Sequence, residues 1–417
     1  MTSEPEPTDP RAGRRVRLAY LVSHPIQYQA PLLRRIAQEP DIDLTVFFGS
    51  DFSVRGYTDA GFGVDVKWDI PLLDGYQHEF LPRLRDSEDV GFARPLNRGI
   101  LSRLRGRGGA APFDVLWLHG YASVNSLHAM FAAKALGIPV LLRAESWLRD
   151  RGRSGVKLAL KKTFFAGLKL LVDGVLPIGT LNAEYWRHYF GNDVPQFPMP
   201  YAVDNLYFAQ RAREARDGRT GLQAELGLDP ARPVVLFASK LQPRKHCDRL
   251  IEAYARLSPA PGADPAPYLV VVGDGEQRAA LERQAAATGF SSIRFCGFRN
   301  QSELPRFFDL ASVFVLPSRH EPWGLIVNEV MNAARPAIVS DDVGCAPDLI
   351  DSGVNGCIYP VDDVGALADA LRKVLETPST AAAMGQRAFE RIQGWSFEED
   401  IVGLRQALAA VVPGFEP

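Results

Sequence analysis

Cysteine is scarce in this 417-residue chain. The four present, Cys247, Cys296, Cys345 and Cys357, form no CxxC pair and have no histidine at zinc spacing, so neither a disulfide framework nor a structural zinc site is indicated. Charge of either sign is also missing in excess. With 47 basic and 49 acidic residues the net charge is −2, which removes any general case for nucleic acid as a partner. No run approaches the roughly 18 apolar residues of a membrane span. The N-terminal MTSEPEPTDPRAGRR lacks the apolar stretch of a signal peptide. No 20–50-residue self-similarity is present, which argues against a solenoid. From these absences we expect a soluble, cytoplasmic protein whose residues 1–14 form a disordered tail.

What is present is alternation. Short β-rich runs and helical patterns follow one another along the whole chain, the signature of parallel α/β sheets, and the length suits two such units. In the first half the patterning predicts strands at Val16–Val22, Leu44–Phe48, Val115–His119, Val140–Arg143 and Val175–Ile178. Helices are expected at Gln29–Ala37, Val124–Leu136, Gly155–Leu171 and Leu181–Tyr189. The segment Asp51–Arg107 reads as loops with short strands, and its length flags function or mobility. In the second half strands are expected at Val234–Ser239, Tyr268–Val272, Ile293–Cys296, Val313–Leu316 and Ala337–Ser340. Helices follow at Cys247–Leu257, Glu276–Gly289, Gln301–Ala311, Leu325–Ala334 and Gly365–Leu375, and Ser379–Val412 is helical. The two prolines of Phe197-Pro-Met-Pro-Tyr-Ala-Val-Asp204 place the hinge there.

Open parallel sheets bind ligands in loops at the carboxyl ends of their strands, so chemical residues should sit just after strands. Four stretches qualify. In Pro317–Met331 a strand ends at Leu316, a loop holds Glu321, and Pro322-Trp-Gly324 leads into a helix that carries Glu329. The free amides around Gly324 and Leu325 favour an anion such as phosphate, and the two carboxylates suit hydroxyls on either side of it. In isolation, the same pattern describes a capping acid and a solvated helix residue. Lys240 and Lys245 flank a tight turn with Arg244, and such a cation pair neutralises a diphosphate without a metal. Gly273-Asp-Gly275 lets a ligand approach the backbone, and Ser340–Asp348 offers a small-residue loop.

Taken together, residues 230 to 400 resemble the donor-binding half of retaining glycosyltransferases of family 4, which have the GT-B architecture. The likeness rests on an ordered set: Lys240 to Lys245, Gly273-Asp-Gly275, Arg294-Phe-Cys-Gly-Phe298, Glu321-x7-Glu329, Gly353-Val-Asn-Gly356 and Trp395-Ser-Phe-Glu398. It implies two Rossmann-like domains facing a cleft, an acceptor side at 15–204 and a nucleotide-sugar side at 205–380. Helices at 381–417 would cross back to the N-terminal domain. It further implies that Glu321 holds hydroxyls of the transferred sugar, Glu329 the ribose, and Lys240 and Lys245 the diphosphate. The family usually has arginine at position 240, and lysine there loses the bidentate fork.

The first half resembles the family more loosely. The likeness puts His119 beside the anomeric carbon, which makes Glu321, His119 and Lys245 the catalytic candidates. His24, Gln27 and Tyr28 follow the first strand where relatives carry a glycine pair, and Arg143 and Glu145 follow another strand. All five are candidates for the acceptor side. Segment 149–169 carries seven basic residues against Asp150, with Leu160, Phe164, Leu168 and Leu171 as an apolar stripe. Packing of that stripe on the sheet is expected, with weak peripheral membrane contact as the alternative. Asp41-Ile-Asp43 has carboxylate spacing but precedes a strand, at the wrong end of the sheet for a metal. The resemblance thus implies transfer of a sugar from a UDP- or GDP-sugar to a glycan, glycolipid or small-metabolite acceptor, with retention and without metal or cofactor. A nucleotide-sugar epimerase and a non-catalytic nucleotide-binding protein are the alternatives on the same fold.

Overall fold

The computed structural model describes residues 15–59, 61–85, 89–106, 110–149, 155–260 and 263–417. The tail expected at 1–14 lies outside the described residues. Two six-stranded parallel sheets form the centres of two lobes. In the N-lobe, β1 (Val16–Val22) and β2 (Ile42–Phe48) are followed by the short strands β3 (Tyr57–Asp59), β4 (Val64–Val66), β5 (Gln77–Phe80), β6 (Arg83–Arg85) and β7 (Leu96–Asn97). Then come β8 (Val115–His119), β9 (Val140–Arg143) and β10 (Gly174–Val175). In the C-lobe the strands are β11 (Val234–Ala238), β12 (Tyr268–Val272), β13 (Ile293–Phe295), β14 (Val313–Leu316), β15 (Ala337–Ser340) and β16 (Gly356–Tyr359). The sheet orders are β10-β9-β8-β1-β2-β5 and β13-β12-β11-β14-β15-β16, while β3 and β4 pair as an antiparallel hairpin, as do β6 and β7.

Both sheets are covered on both faces, which is why their strands are continuously apolar. Along β1, Leu18, Tyr20 and Val22 enter one core layer and Ala19 and Leu21 the opposite one. Along β11, Val234, Leu236 and Ala238 alternate in the same way with Val235 and Phe237. The period of two in side-chain direction therefore places each strand between two helical layers. This is the GT-B architecture of two Rossmann-like lobes.

Several boundaries differ from expectation for identifiable reasons. The strand expected at Val175–Ile178 ends its ladder at Val175. Pro177 has no N–H to donate, and its carbonyl and that of Ile178 instead accept from the Met199 and Tyr201 amides of the linker. The charged stretch after the hinge is helical, at Asn205–Ala215 and Arg219–Leu226, with Asp204 capping the first of these through the Tyr207 amide. The edge strand β16, not anticipated, grows out of the Gly353-Val-Asn-Gly356 turn.

The stripe expected to pack from the basic segment is turned by one notch. Phe165, Leu168 and Val172, at helical spacing, are the buried set, whereas Leu160 and Phe164 are exposed.

The final helix, Phe397–Val411, starts at a capping box of Ser396 and Glu399. Its Ile401, Leu404, Ala407 and Leu408 pack into the N-lobe core beside β1 and β2. Arg405 bonds both oxygens of Asp41 at 2.8 and 2.7 Å, so this carboxylate is occupied as an ion pair.

Candidate functional site

The strand order reverses between β8 and β1 in one sheet and between β11 and β14 in the other. Crevices form at such switch points, at the carboxyl ends of the strands. A cavity of about 460 Å³ lies between the two, walled by residues that follow β1, β11, β12 and β14. Lys240, Lys245, Gly273, Glu321, Gly324, Leu325 and Glu329 all line it, and opposite them stand His24, Gln27 and Tyr28. Ten of the sequence candidates thus line one pocket, while Gly275, His119, Arg143 and Glu145 stand outside its lining.

The 3₁₀ turn Pro243–Lys245 after β11 buries Lys245 and directs its ammonium to Oε2 of Glu321, which Arg244 also approaches at 3.4 Å. Burial pulls the Lys245 pKa down, as do the like charges of Arg244 and Lys240, while Glu321 opposes the shift. Glu321 is aligned by its backbone, whose amide donates to the Asp342 carbonyl and whose carbonyl accepts from Gly344. Gly324 has φ of 94°, a left-handed conformation at the start of the helix Leu325–Asn332, and Gly324, Leu325 and Ile326 line the cavity. Glu329 sits one turn in, and burial pushes its carboxyl up to about 8.

Gly273 and Gly275 after β12 have φ of 134° and 153°. A Cβ on Gly273 would meet the Ser239 carbonyl, and one on Gly275 would lie 2.6 Å from the Leu241 carbonyl. The pair therefore lets the β12 loop close on the β11 loop. Only Gly273 reaches the cavity wall.

On the N-lobe side, His24 bonds Ser23 Oγ through Nδ1, and burial, with His119 nearby, brings its pKa down to about 4. It therefore faces the cavity as a neutral ring at neutral pH. Tyr28 donates to Glu145 Oε1 at 2.9 Å, Tyr201 donates to the same oxygen, and His119 Nε2 lies 3.6 Å away. Burial works against ionisation of Glu145, yet His119 and the two phenols hold its pKa at about 2. His119 and Glu145 form a cluster behind Tyr28 and do not line the cavity themselves.

Arg143 requires a correction. Instead of reaching the cleft it is 2% exposed and donates to the Met199 and Pro200 carbonyls and to Asp400 at 3.1 Å. Along β9 it shares the face of Leu141, in the core layer that also holds the last helix, and its guanidinium stacks 4.9 Å from the centre of the Tyr201 ring.

Four cavity residues, Tyr57, Asp59, Phe62 and Trp68, come from the β3–β4 region and were not singled out from the sequence. Their signal was three aromatics within the long segment read as loops. Phe298, Arg299, Gln301 and Leu304 complete the opposite end. Among the described residues no group of three or more His, Cys, Asp or Glu side chains is placed to hold a metal ion.

The fold and its crevice are those of the GT-B class. Solved structures agree over nearly the whole chain: a glycosyltransferase from Rickettsia africae (TM-score 0.69, 13% identity, 94% of this chain and 97% of that one) and the Anabaena protein HepE in complex with UDP (0.68, 15%, 94% and 98%). Sucrose-phosphate synthase from Thermosynechococcus elongatus has a TM-score of 0.66 at 18% identity, covering 94% of this chain and 98% of its own.

More particularly, residues 219–391 match the family Glycosyl transferases group 1, which takes in most of the C-lobe. Similar curated proteins include the alpha-D-kanosaminyltransferase of Streptomyces kanamyceticus, 33% identical over 182 residues, 43% of this chain and 45% of the relative. The lipopolysaccharide core biosynthesis glycosyltransferase LpsE of Rhizobium meliloti is 30% identical over 192 residues, 46% and 54%. The chain spans about half the length of the curated relatives it matches.

Proposed function

We propose that this protein is a retaining glycosyltransferase that moves a sugar from a UDP- or GDP-sugar to a glycan, glycolipid or small-metabolite acceptor. The observation that carries the reading is the convergence of Lys245, Arg244, Glu321, Glu329 and a helix start on one interlobe cavity. The match of the C-lobe and the names of the relatives support it.

In the free chain Glu321 compensates the charge of Lys245 and Arg244. A donor diphosphate takes over that role and frees the Glu321 oxygens to accept sugar hydroxyls, while Glu329 faces the ribose. As the bond from anomeric carbon to diphosphate breaks, charge grows on the leaving oxygen, where the ammonium and the amides at Gly324 and Leu325 stabilise it. The acceptor oxygen bonds to the carbon from the same face, and its proton ends on the departing diphosphate. His119 acts through the Tyr28–Glu145 cluster on the acceptor side. No step calls for a metal.

Calorimetric titration with UDP, GDP, ADP and dTDP, followed by incubation with the matching sugars, tests this reading. Binding of one nucleotide with slow hydrolysis of its sugar is the expected result. Absence of binding to all four would refute it.

We also propose weak contact with an anionic membrane surface through the helix Gly155–Lys169, for a protein otherwise cytoplasmic. Leu160 and Leu170 are 66% and 79% exposed beside the lysines of this acid-free helix. No helix among the described residues is long and apolar enough to cross a membrane. Sedimentation with phosphatidylglycerol vesicles should pull down the protein and leave Leu160→Glu in solution, whereas equal binding of both would refute the contact.

A further inference from the structure

The β3–β4 hairpin of the N-lobe is seated on the C-lobe by an ion pair between a buried carboxylate and a half-buried ammonium. Asp59, 8% exposed, takes the Lys240 ammonium between its two oxygens at 2.7 and 2.9 Å. The carboxylate has further donors in the Gly61 and Phe62 amides, at 2.8 and 3.0 Å, and in the Tyr57 hydroxyl at 3.1 Å. The ammonium stands 4.7 Å from the centre of the Phe62 ring, which meets Phe298 of the C-lobe edge-on at 4.8 Å. Gly61 is pressed so closely on Lys240 that a Cβ there would come within 2.7 Å of its Cδ. The seat continues where Asn300 donates to the Lys67 carbonyl and Ser302 to Asp69.

These contacts take up two of the three donors of Lys240 and compensate its charge. A diphosphate that drew the ammonium away would leave a buried carboxylate without its cation and set it near a like charge, a doubly unfavourable exchange. Among the described residues the side-chain partner of Lys245 and Arg244 is Glu321, whose place beside the two cations a diphosphate can take.

We propose that Asp59 is a positioning residue that, through Lys240, ties the N-lobe hairpin to the C-lobe and holds the cleft closed, leaving the diphosphate to Lys245 and Arg244. The proposal rests on the donor reading above for its diphosphate half alone.

The test is a double-mutant cycle on the full chain with Asp59→Asn, Lys240→Met and both together. Asparagine keeps an oxygen for the two amides, so the turn itself survives. Hydrogen exchange of 57–68 and 298–302 without nucleotide reports the tie, and titration with UDP and GDP reports the diphosphate site. Each single variant should speed exchange in both segments about tenfold, with the double variant no worse than either, because coupled partners are not additive. Lys240→Met should keep nucleotide affinity within about threefold while Lys245→Met loses at least about thirtyfold, as expected when a buried cation loses its anion partner.

Additive effects on exchange, or unchanged exchange in Asp59→Asn, would overturn the tie. Equal loss of affinity in the two lysine variants would return Lys240 to the diphosphate. Failure of UDP and GDP to bind the wild-type chain sinks the donor reading, and the tie then stands or falls on exchange alone.

Discussion

At the scale of single residues, burial decides which charges are available for chemistry. Lys245 is buried in its turn, which pulls its pKa down, while the Glu321 carboxylate opposes the shift. Replacing it by Met should cut sugar transfer at least about a hundredfold, a loss typical of a missing charge stabiliser, while circular dichroism keeps the native spectrum. Glu329 carries the opposite perturbation. Folded, it takes up its proton at about 8, and its ordinary value is 4.5. Between those values the folded chain holds a proton that the unfolded chain has released, so stability falls as pH rises across that window. Glu329→Gln should therefore flatten the decline in melting temperature between pH 5 and pH 8. An identical slope in wild type and variant would show that the group titrates normally. Gly273 is a residue whose value is its missing side chain: Gly273→Ala would push a Cβ into the Ser239 carbonyl and distort the loop that carries Lys240.

At the scale of elements, the last helix does for the N-lobe what no local segment does. Leu404 is fully buried in the layer beside β1 and β2. Leu404→Ala should cost about 3 kcal/mol in urea unfolding, the usual loss for an emptied leucine site. Arg143 joins the same helix to β9 and to the linker through Asp400 and two carbonyls. Arg143→Ala leaves a buried carboxyl and two carbonyls without their donor and should cost about 3 kcal/mol as well. Activity would fall only as far as the folded fraction does, which separates this residue from the acceptor-side role first expected of it.

At the scale of the whole molecule, several contacts among the described residues join the lobes. Asp59 and Lys240 join them across the cavity, Thr180 donates its hydroxyl and amide to Asp348 at 2.6 and 2.9 Å, and Trp323 lies between Tyr201 and Trp395. A chain ending after Gly394 loses the last helix, which packs into the N-lobe core. Its calorimetric trace should split, with the N-lobe melting first, whereas wild type should melt in one coupled transition.

The division between sequence and tertiary structure follows the range of the forces involved. Strand periodicity, the glycines after β12 and the Glu321–Glu329 spacing are local, because a side chain's face and a backbone's allowed angles depend on neighbours along the chain. These were enough to place most strands of both sheets, though not the edge strands β5 and β16, and most of the C-lobe wall of the cavity. The side that Arg143 faces, the partner that Lys240 meets and the aromatics that the β3–β4 hairpin brings to the cleft depend on residues more than fifty positions away in sequence. Only packing of the two lobes brings those residues together, since a charge pairs with whatever opposite charge the fold buries beside it and no local pattern encodes that neighbour.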